Sequence, residues 1–214
     1  MAKSKDILAG RRILVGVTGG IAAYKAAMLV STLSQRGAEV QVVMTASAQK
    51  FVTPLTFQSL TRSAVHTDMW EATEQFRSAH IALADWAEAA VVAPATANLL
   101  AKVACGLADD LLSTTLLAVD VPVLLAPAMN ERMWNKQATQ NNAALLAEWN
   151  YRLVGPCPGW LACGTRGEGR MSEPADIVAA LEQMLADADA GRAPPSGRAV
   201  KSPSKATPKR GRMA

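Results

Sequence analysis

Three side chains of this 214-residue chain can take a direct part in a reaction, and they lie far apart in the sequence: His80, Asn130 and Cys163. Cys163 sits between Ala162 and Gly164 at the centre of a glycine-rich run, a setting that exposes a thiol and delivers it to a site. Asn130 offers an uncharged amide, which donates to a carboxylate without neutralising it. His80 is one of two histidines, the other being His66. In a polar stretch it is either a surface residue or a group that moves a proton. A second set of residues is suited to holding a ligand: Thr18-Gly19-Gly20-Ile21, Thr45 with Ser47, and Thr96 with Asn98.

The elements around that second set explain why it matters. Residues 13–17 form a short apolar, β-branched run, the pattern of a buried strand. Thr18-Gly19-Gly20 breaks the run, and from Ile21 the pattern turns helical, with Ile21, Tyr24, Ala27, Met28, Val30 and Leu33 as its apolar face and Gly37 as its stop. A strand, a glycine turn and a helix aim backbone N–H groups at the turn, where an anion can sit; the same pattern also serves as a plain tight turn. The turn departs from the G-x-G-x-x-G dinucleotide fingerprint. The second strand, residues 39–44, ends in Met44-Thr45 and lacks the acid that would hold a ribose. A mononucleotide therefore fits better than NAD, which favours FMN.

Thr45 and Ser47 fall at the carboxyl end of that strand, where open α/β sheets bind ligands; their hydroxyls either reach a phosphate or cap a helix. Residues 54–60 read as a helix and residues 65–69 as a weak strand or loop. Residues 71–80 are polar. Residues 89–93 are an all-apolar strand followed by Pro-Ala-Thr-Ala-Asn, small residues that let a flat ligand approach the backbone, with Asn98 also able to cap the next helix. Residues 111–119 read as a helix with apolar surface to spare, 121–126 as a strand leading into Pro127-Ala-Met-Asn130, 136–149 as a helix and 151–154 as the last strand. Residues 155–171 hold five glycines and two prolines, which disfavours a helix or long strand. They read as a functional loop that folds down through Trp160, Leu161 and Met171. A final helix covers residues 175–186. Strand and helix alternate throughout, so the expected fold is α/β: a doubly wound, mainly parallel sheet of about six strands in a single domain.

Composition narrows the function classes. Half of the chain is hydrophobic, enough for a sizeable core. The formal charge of +4 is carried by the C-terminal end. Residues 191–214 hold seven of the 22 basic residues and no acid, so residues 1–190 set fifteen bases against eighteen acids. A mildly acidic body argues against a nucleic-acid-binding face. The three cysteines lack C-x-x-C or metal-ligand spacing and fit a reducing compartment. No apolar run approaches the roughly 18 residues of a membrane span, and no signal-peptide core follows the N-terminus. The expectation is a cytoplasmic protein with a domain over residues 10–188 and a disordered basic tail or linker over residues 189–214.

Four motifs stand in order: Gly19-Gly20-Ile-Ala-Ala-Tyr-Lys25, Ala93-Pro-Ala-Thr-Ala-Asn-Leu-Leu-Ala-Lys102, Pro127-Ala-Met-Asn-Glu-Arg-Met-Trp134 and Leu161-Ala-Cys-Gly-Thr-Arg-Gly-Glu-Gly-Arg-Met171. Together with His80-Ile-Ala-Leu they resemble the homo-oligomeric flavin-containing cysteine decarboxylases, over about residues 10–186, and most of all the branch acting on phosphopantothenoylcysteine in coenzyme A synthesis. The resemblance implies a Rossmann-like flavoprotein fold. It implies FMN held by Gly19, Gly20 and Ile21, by Thr45 and Ser47, and by Thr96, Ala97 and Asn98. It makes His80 and Cys163 the catalytic residues and Asn130, Met133, Ala162 and Gly164 the substrate-binding ones, and implies no metal. It further implies a homotrimer, or a dodecamer of trimers, with FMN near a subunit boundary, and in many bacteria fusion to a phosphopantothenate–cysteine ligase. The linker-like tail here carries no second α/β pattern, so the chain is expected to be either a stand-alone enzyme or, by preference, one half of such a fusion.

The chemistry implied suits these residue types. A cysteine carboxylate has no sink for the electrons that loss of CO₂ leaves behind. Oxidation of the CH₂–SH group to a thioaldehyde by FMN puts a C=S group β to the carboxylate, and decarboxylation then gives an enethiolate. Return of hydride, with a proton from Cys163, yields the aminothiol with no net redox change. His80 either assists thiol deprotonation or orients the substrate. A reference thiol pKa of about 8.5 keeps the donor protonated at neutral pH. Three rival readings remain: a flavin prenyltransferase, which is not expected to carry Pro-Ala-Met-Asn or Ala-Cys-Gly; a peptidyl-cysteine decarboxylase, not expected to carry Ala-Cys-Gly; and a non-catalytic flavoprotein that acts by binding a phosphatase.

Overall fold

The computed structural model describes residues 6–70 and 78–191. The polar run at residues 71–77 and the basic tail from residue 192 lie outside the described residues.

Six short strands, β1 (Arg12–Val17), β2 (Glu39–Met44), β3 (Val65–His66), β4 (Ala89–Ala95), β5 (Val123–Pro127) and β6 (Arg152–Leu153), pair in parallel in the order β3-β2-β1-β4-β5-β6. Helices cover both faces: α1 (Ala23–Gln35), α2 (Pro54–Thr61) and α8 (Pro174–Asp189) on one, α3 (Ala79–Trp86), α4 (Ala97–Cys105), α5 (Leu111–Ala118) and α7 (Gln137–Glu148) on the other. Strand alternation sets the division. Ile13, Val15 and Val17 of β1 pack into a core with α1 and α8, while Leu14 faces the core of α3, α4 and α5. The expected doubly wound sheet is therefore present. Leu8 is fully buried and α8 runs to Asp189, so packing extends slightly beyond residues 10–188 at both ends. Among the described residues no helix is long and apolar enough to cross a membrane.

Several local expectations change. On α1 the buried residues are Ala23, Lys25, Ala26, Leu29, Val30 and Leu33, while Tyr24 and Met28, and Ile21 just ahead of the helix, are more than half exposed. Small alanines let the helix approach the sheet closely, and its bulkier apolar side chains form a second, outward face. Asn98 does not cap α4; the Thr96 hydroxyl accepts from the Leu99 N–H instead. After β2, the Thr45 hydroxyl caps the Ala48 N–H at 3.3 Å, and Ser47 makes no side-chain cap bond. Helix α5 buries Leu111, Leu112, Ser113, Thr115 and Leu116 within the chain, so its apolar surface is largely used internally.

The largest correction concerns residues 155–171. They form an antiparallel hairpin, β7 (Cys157–Trp160) with β8 (Arg166–Arg170), not a loop. A glycine-rich strand has little intrinsic preference for the sheet, and here its glycines are what permit docking. A Cβ on Gly169 would lie 2.3 Å from the Met129 carbonyl oxygen, and one on Gly167 would lie 2.2 Å from the Glu131 carboxylate. The Met129 N–H donates to the Gly169 carbonyl at 2.9 Å. The hairpin thus lies flat on the segment after β5, which includes the short helix α6 (Glu131–Trp134).

Candidate active site

The strand order reverses between β1 and β4, and ligands in such sheets bind at that switch point, beyond the carboxyl ends of the strands. A cavity of about 1060 Å³ opens there. Its floor is made by the two turns that leave β1 and β4. The buried Thr18 hydroxyl donates to the Pro94 carbonyl at 2.7 Å and accepts from the Thr96 N–H at 3.2 Å, tying the turns together. Gly19 presses against the turn after β2: a Cβ there would meet the Ser47 Cβ at 2.4 Å and the Ser47 carbonyl carbon at 2.8 Å. No other residue fits this approach. At Gly20 the nearest atom, Thr96 Cγ2, is 3.8 Å from where a Cβ would be, so the turn stays open toward the cavity.

Helix α1 starts at this turn without a side-chain cap; its first N–H groups, those of Ala23, Tyr24 and Lys25, turn back onto the carbonyls of Gly20, Ile21 and Ala22, and the positive end of the helix faces the turn. Gly19, Gly20, Ile21, Thr45, Ser47, Thr96, Ala97 and Asn98, the residues anticipated for a cofactor, all border the cavity.

Opposite them stand the segment after β5 and the hairpin. Asn130 caps α6: its Oδ1 accepts from the Arg132 N–H at 2.8 Å. That bond fixes the amide, so that Nδ2 donates to Cys163 Sγ at 3.1 Å. The Thr165 hydroxyl lies 3.1 Å from the same sulfur. Hydrogen bonding by Thr165, then by Asn130, holds the exposed Cys163 thiol below its ordinary pKa. Met133 and Ala162 also border the cavity, whereas Gly164, in a left-handed turn at φ +83°, does not. Residues 80 and 163, paired as catalytic in sequence, are not brought together within one chain. His80 lies in the first turn of α3, outside the cavity lining, and its Nδ1 is buried with no hydrogen-bond partner among the described residues.

Charged residues that sequence reasoning passed over also reach the cavity. Lys25 is nearly buried and pairs with Glu173 at 2.8 Å, and Arg170 stands 3.5 Å from the same carboxylate. The Lys25 hydrogen bond, aided by the charge of Arg170, keeps the Glu173 carboxyl below its usual range. Lys102 binds Asp109 at 2.5 Å and Asp110 at 2.7 Å. Burial disfavours its charge, but the two carboxylates outweigh that and raise its pKa. Lys25 and Lys102 end two of the motifs, but their orientation depends on α8 and on the turn before α5, which periodicity does not reveal.

The comparisons agree with this geometry. The Coenzyme A biosynthesis bifunctional protein CoaBC of Vibrio vulnificus is 48% identical over 178 residues, covering 83% of this chain and 44% of that protein. The Bacillus subtilis CoaBC is 48% identical over 181 residues, 85% of this chain and 45% of the relative. The chain thus spans under half the length of these curated relatives. Among solved structures, a cysteine-to-serine variant of PPC decarboxylase complexed with pantothenoylaminoethenethiol aligns at TM-score 0.76 and 33% identity, over 83% of this chain and 99% of that one. SpaF, an FMN-dependent cysteine decarboxylase, aligns at TM-score 0.74 and 36% identity, over 85% of this chain and 99% of its own. The family model described as Flavoprotein matches residues 1–186, and the chain belongs to the flavoprotein family.

Proposed function

We propose that this chain decarboxylates phosphopantothenoylcysteine to phosphopantetheine with FMN as cofactor, as a step of coenzyme A synthesis. The observation that carries the reading is the Cys163 thiol held by Asn130 over a cavity at the sheet's switch point. FMN fits this floor: Gly19 leaves no room for a side chain, Gly20 leaves space, and the positive N-terminal end of α1 faces the turn, where a phosphate is favoured. The volume of about 1060 Å³ lies at the upper end of the roughly 300–1,000 Å³ of ligand sites, room for a ligand as large as FMN.

When bound, FMN supplies the reversible two-electron oxidation of the substrate's CH₂–SH group that makes its carbon–sulfur bond a sink for the electrons left by CO₂ loss. The chain's own residues do the rest. Asn130, with Oδ1 fixed by the Arg132 N–H, directs its amide donor to the substrate carboxylate and orients it without neutralising it. Leu161, buried beneath the hairpin, and the exposed Trp160 beside it keep water from the reacting atoms. Cys163 delivers a proton from Sγ to the enethiolate carbon, a task that a hydrogen-bonded, acidified thiol suits.

The assembly belongs to the same proposal. Ile21 and Tyr24 are exposed at the cavity, Met28 is exposed one turn further along α1, and Phe51 and Leu55 are exposed on the neighbouring elements. A homotrimer, alone or within a dodecamer, covers this surface, and a neighbouring copy then brings His80 to the site as thiol base or substrate orienter. The CoaBC relatives are named bifunctional and this chain spans under half of them, which supports a second activity, fused or separate; we assign it to a phosphopantothenate–cysteine ligase and the setting to the cytoplasm. One preparation tests the reading: the purified protein shows an oxidised flavin spectrum, releases FMN on denaturation and frees CO₂ from phosphopantothenoylcysteine. A colourless protein that takes up no added FMN, or a flavoprotein that releases no CO₂, refutes it.

A further inference from the structure

The charges around the cavity do not balance evenly. Lys102 faces both Asp109 and Asp110, and its charge is fully offset. Lys25 and Arg170, by contrast, share the single carboxylate of Glu173, so this trio carries one uncompensated positive charge at the cavity edge. Lys25 holds the closer contact, 2.8 Å against 3.5 Å, and leaves the Arg170 guanidinium the less committed of the two cations.

That guanidinium is also positioned. A Cβ on Gly159 would lie 2.9 Å from Arg170 Nε and 3.2 Å from Cζ, so the side chain rests against bare backbone of the facing strand. Glycine at this point of β7 is what lets it lie there. Arg170 is half-exposed, planar and permanently charged, with a fork of donors that matches a phosphate.

We propose that Arg170 binds the phosphate monoester of the substrate, so that one hairpin carries both the anchor for the substrate's remote end and the Cys163 thiol. This rests on the decarboxylase reading above. Binding energy from the unreactive phosphate then seats the hairpin, and seating the hairpin places Sγ over the reacting carbon. Specificity for phosphorylated substrates follows from the same contact. FMN carries a phosphate as well, but the uncapped turn of Gly19 and Gly20 lies on the sheet side, and Arg170 rides on the hairpin.

The test uses the FMN-loaded enzyme, with Arg170→Gln to remove the charge and Gly159→Ala to displace the guanidinium while keeping it. Calorimetry measures binding of phosphopantothenate and of pantothenate, neither of which has a thiol to react. Wild type is expected to favour the phosphorylated form by roughly 10- to 100-fold, the worth of a charge-assisted hydrogen bond or two. Arg170→Gln should abolish the preference, Gly159→Ala should weaken it, and pantothenate binding and FMN content should stay unchanged. With phosphopantothenoylcysteine the loss should appear in kcat as well as in KM, since the phosphate contact also seats the thiol.

No preference in wild type, or the same preference in Arg170→Gln, overturns the inference. Loss of FMN in Arg170→Gln overturns it too, since the phosphate concerned would be the cofactor's. Equal weakening of both ligands would make Arg170 a scaffold residue and also overturn it. An enzyme that frees no CO₂ yet keeps an Arg170-dependent preference would refute the decarboxylase reading and leave the phosphate subsite standing.

Discussion

On the sheet side of the cavity, Val17, Thr18 and Met44 are buried, and the turns they lead into are cross-tied by Thr18 to Pro94 and Thr96. On the hairpin side, Trp160, Cys163 and Arg170 are exposed, and the β7–β8 pair rests on the backbone around Met129 and on the two buried anchors Leu161 and Met171. The first wall is continuous with the core and shares its cooperativity. The second adds few buried apolar contacts, and segments of that kind open at low free-energy cost. A cofactor retained through many turnovers suits the first wall, while a proton donor that must admit substrate and release product suits the second.

The comparison breaks most sharply at Gly19. An added methyl would meet the Ser47 Cβ at 2.4 Å and the Ser47 carbonyl carbon at 2.8 Å, and backbone cannot step aside as a flexible side chain can. Gly19→Ala should separate the turns after β1 and β2, destabilise the fold by about 1–3 kcal/mol as overpacking does, and abolish FMN retention and with it all activity. Flavin absorbance after gel filtration and a thermal melt measure both effects. Normal flavin content in this variant would show that the Gly19–Ser47 approach does not form the cofactor wall.

Cys163→Ser probes the other wall and should spare the first. The side chain is exposed, so the fold and flavin content should match wild type. Turnover should fall by roughly 10²–10⁴-fold, the contribution of a positioned acid. A serine hydroxyl is too weak an acid to give up the final proton, so after about one turnover the flavin should remain reduced and an enethiol product should accumulate. CO₂ release should still occur in that single turnover. Normal cycling with a reoxidised flavin would demote Cys163 to a passive hairpin residue.

The two walls also differed in how far the sequence revealed them. The sheet side was legible because each of its binding residues directly follows an apolar strand, so chain order alone assigns them to one edge: Gly19, Ser47 and Thr96 all reach the same cavity. The hairpin was misread as a loop because its strands depend on docking against Met129 and Glu131, and a glycine that permits docking has the same signature as one that breaks a strand. Arg170 and Thr165 were missed for a related reason. Their roles depend on cross-strand and turn neighbours, Gly159 and Cys163, which appear only once β7 and β8 are paired. For α1, periodicity put Ile21, Tyr24, Ala27, Met28, Val30 and Leu33 on one apolar face; Val30 and Leu33 are buried, but the rest of the buried side is Ala23, Lys25, Ala26 and Leu29, and Ile21, Tyr24 and Met28 are exposed. His80 marks the limit: its motif was recognisable, but the fold of the single chain leaves it outside the cavity lining.

The smallest effect tests how the hairpin tunes its own thiol. Cys163 Sγ lies 3.1 Å from both the Thr165 hydroxyl and Asn130 Nδ2. Toward a thiolate both groups can only donate, so each stabilises the charged form, and Thr165 contributes most to holding the pKa below its ordinary value. Thr165→Val keeps the side-chain shape and removes the hydroxyl. The thiolate loses a donor, the pKa should rise, and the pH profile for alkylation of Cys163 by iodoacetamide should move to higher pH; at fixed neutral pH the reaction should slow. Thr165→Ser should restore the wild-type profile, because the donor returns without the methyl group. A less acidic thiol also gives up its proton less readily, so turnover in Thr165→Val should fall only a few-fold, as expected for a modest change in acid strength along a Brønsted relationship, with flavin content unchanged. If the valine variant alkylates with the wild-type profile, the acidity of Cys163 does not come from Thr165, and Asn130 on the neighbouring loop becomes the group that tunes it.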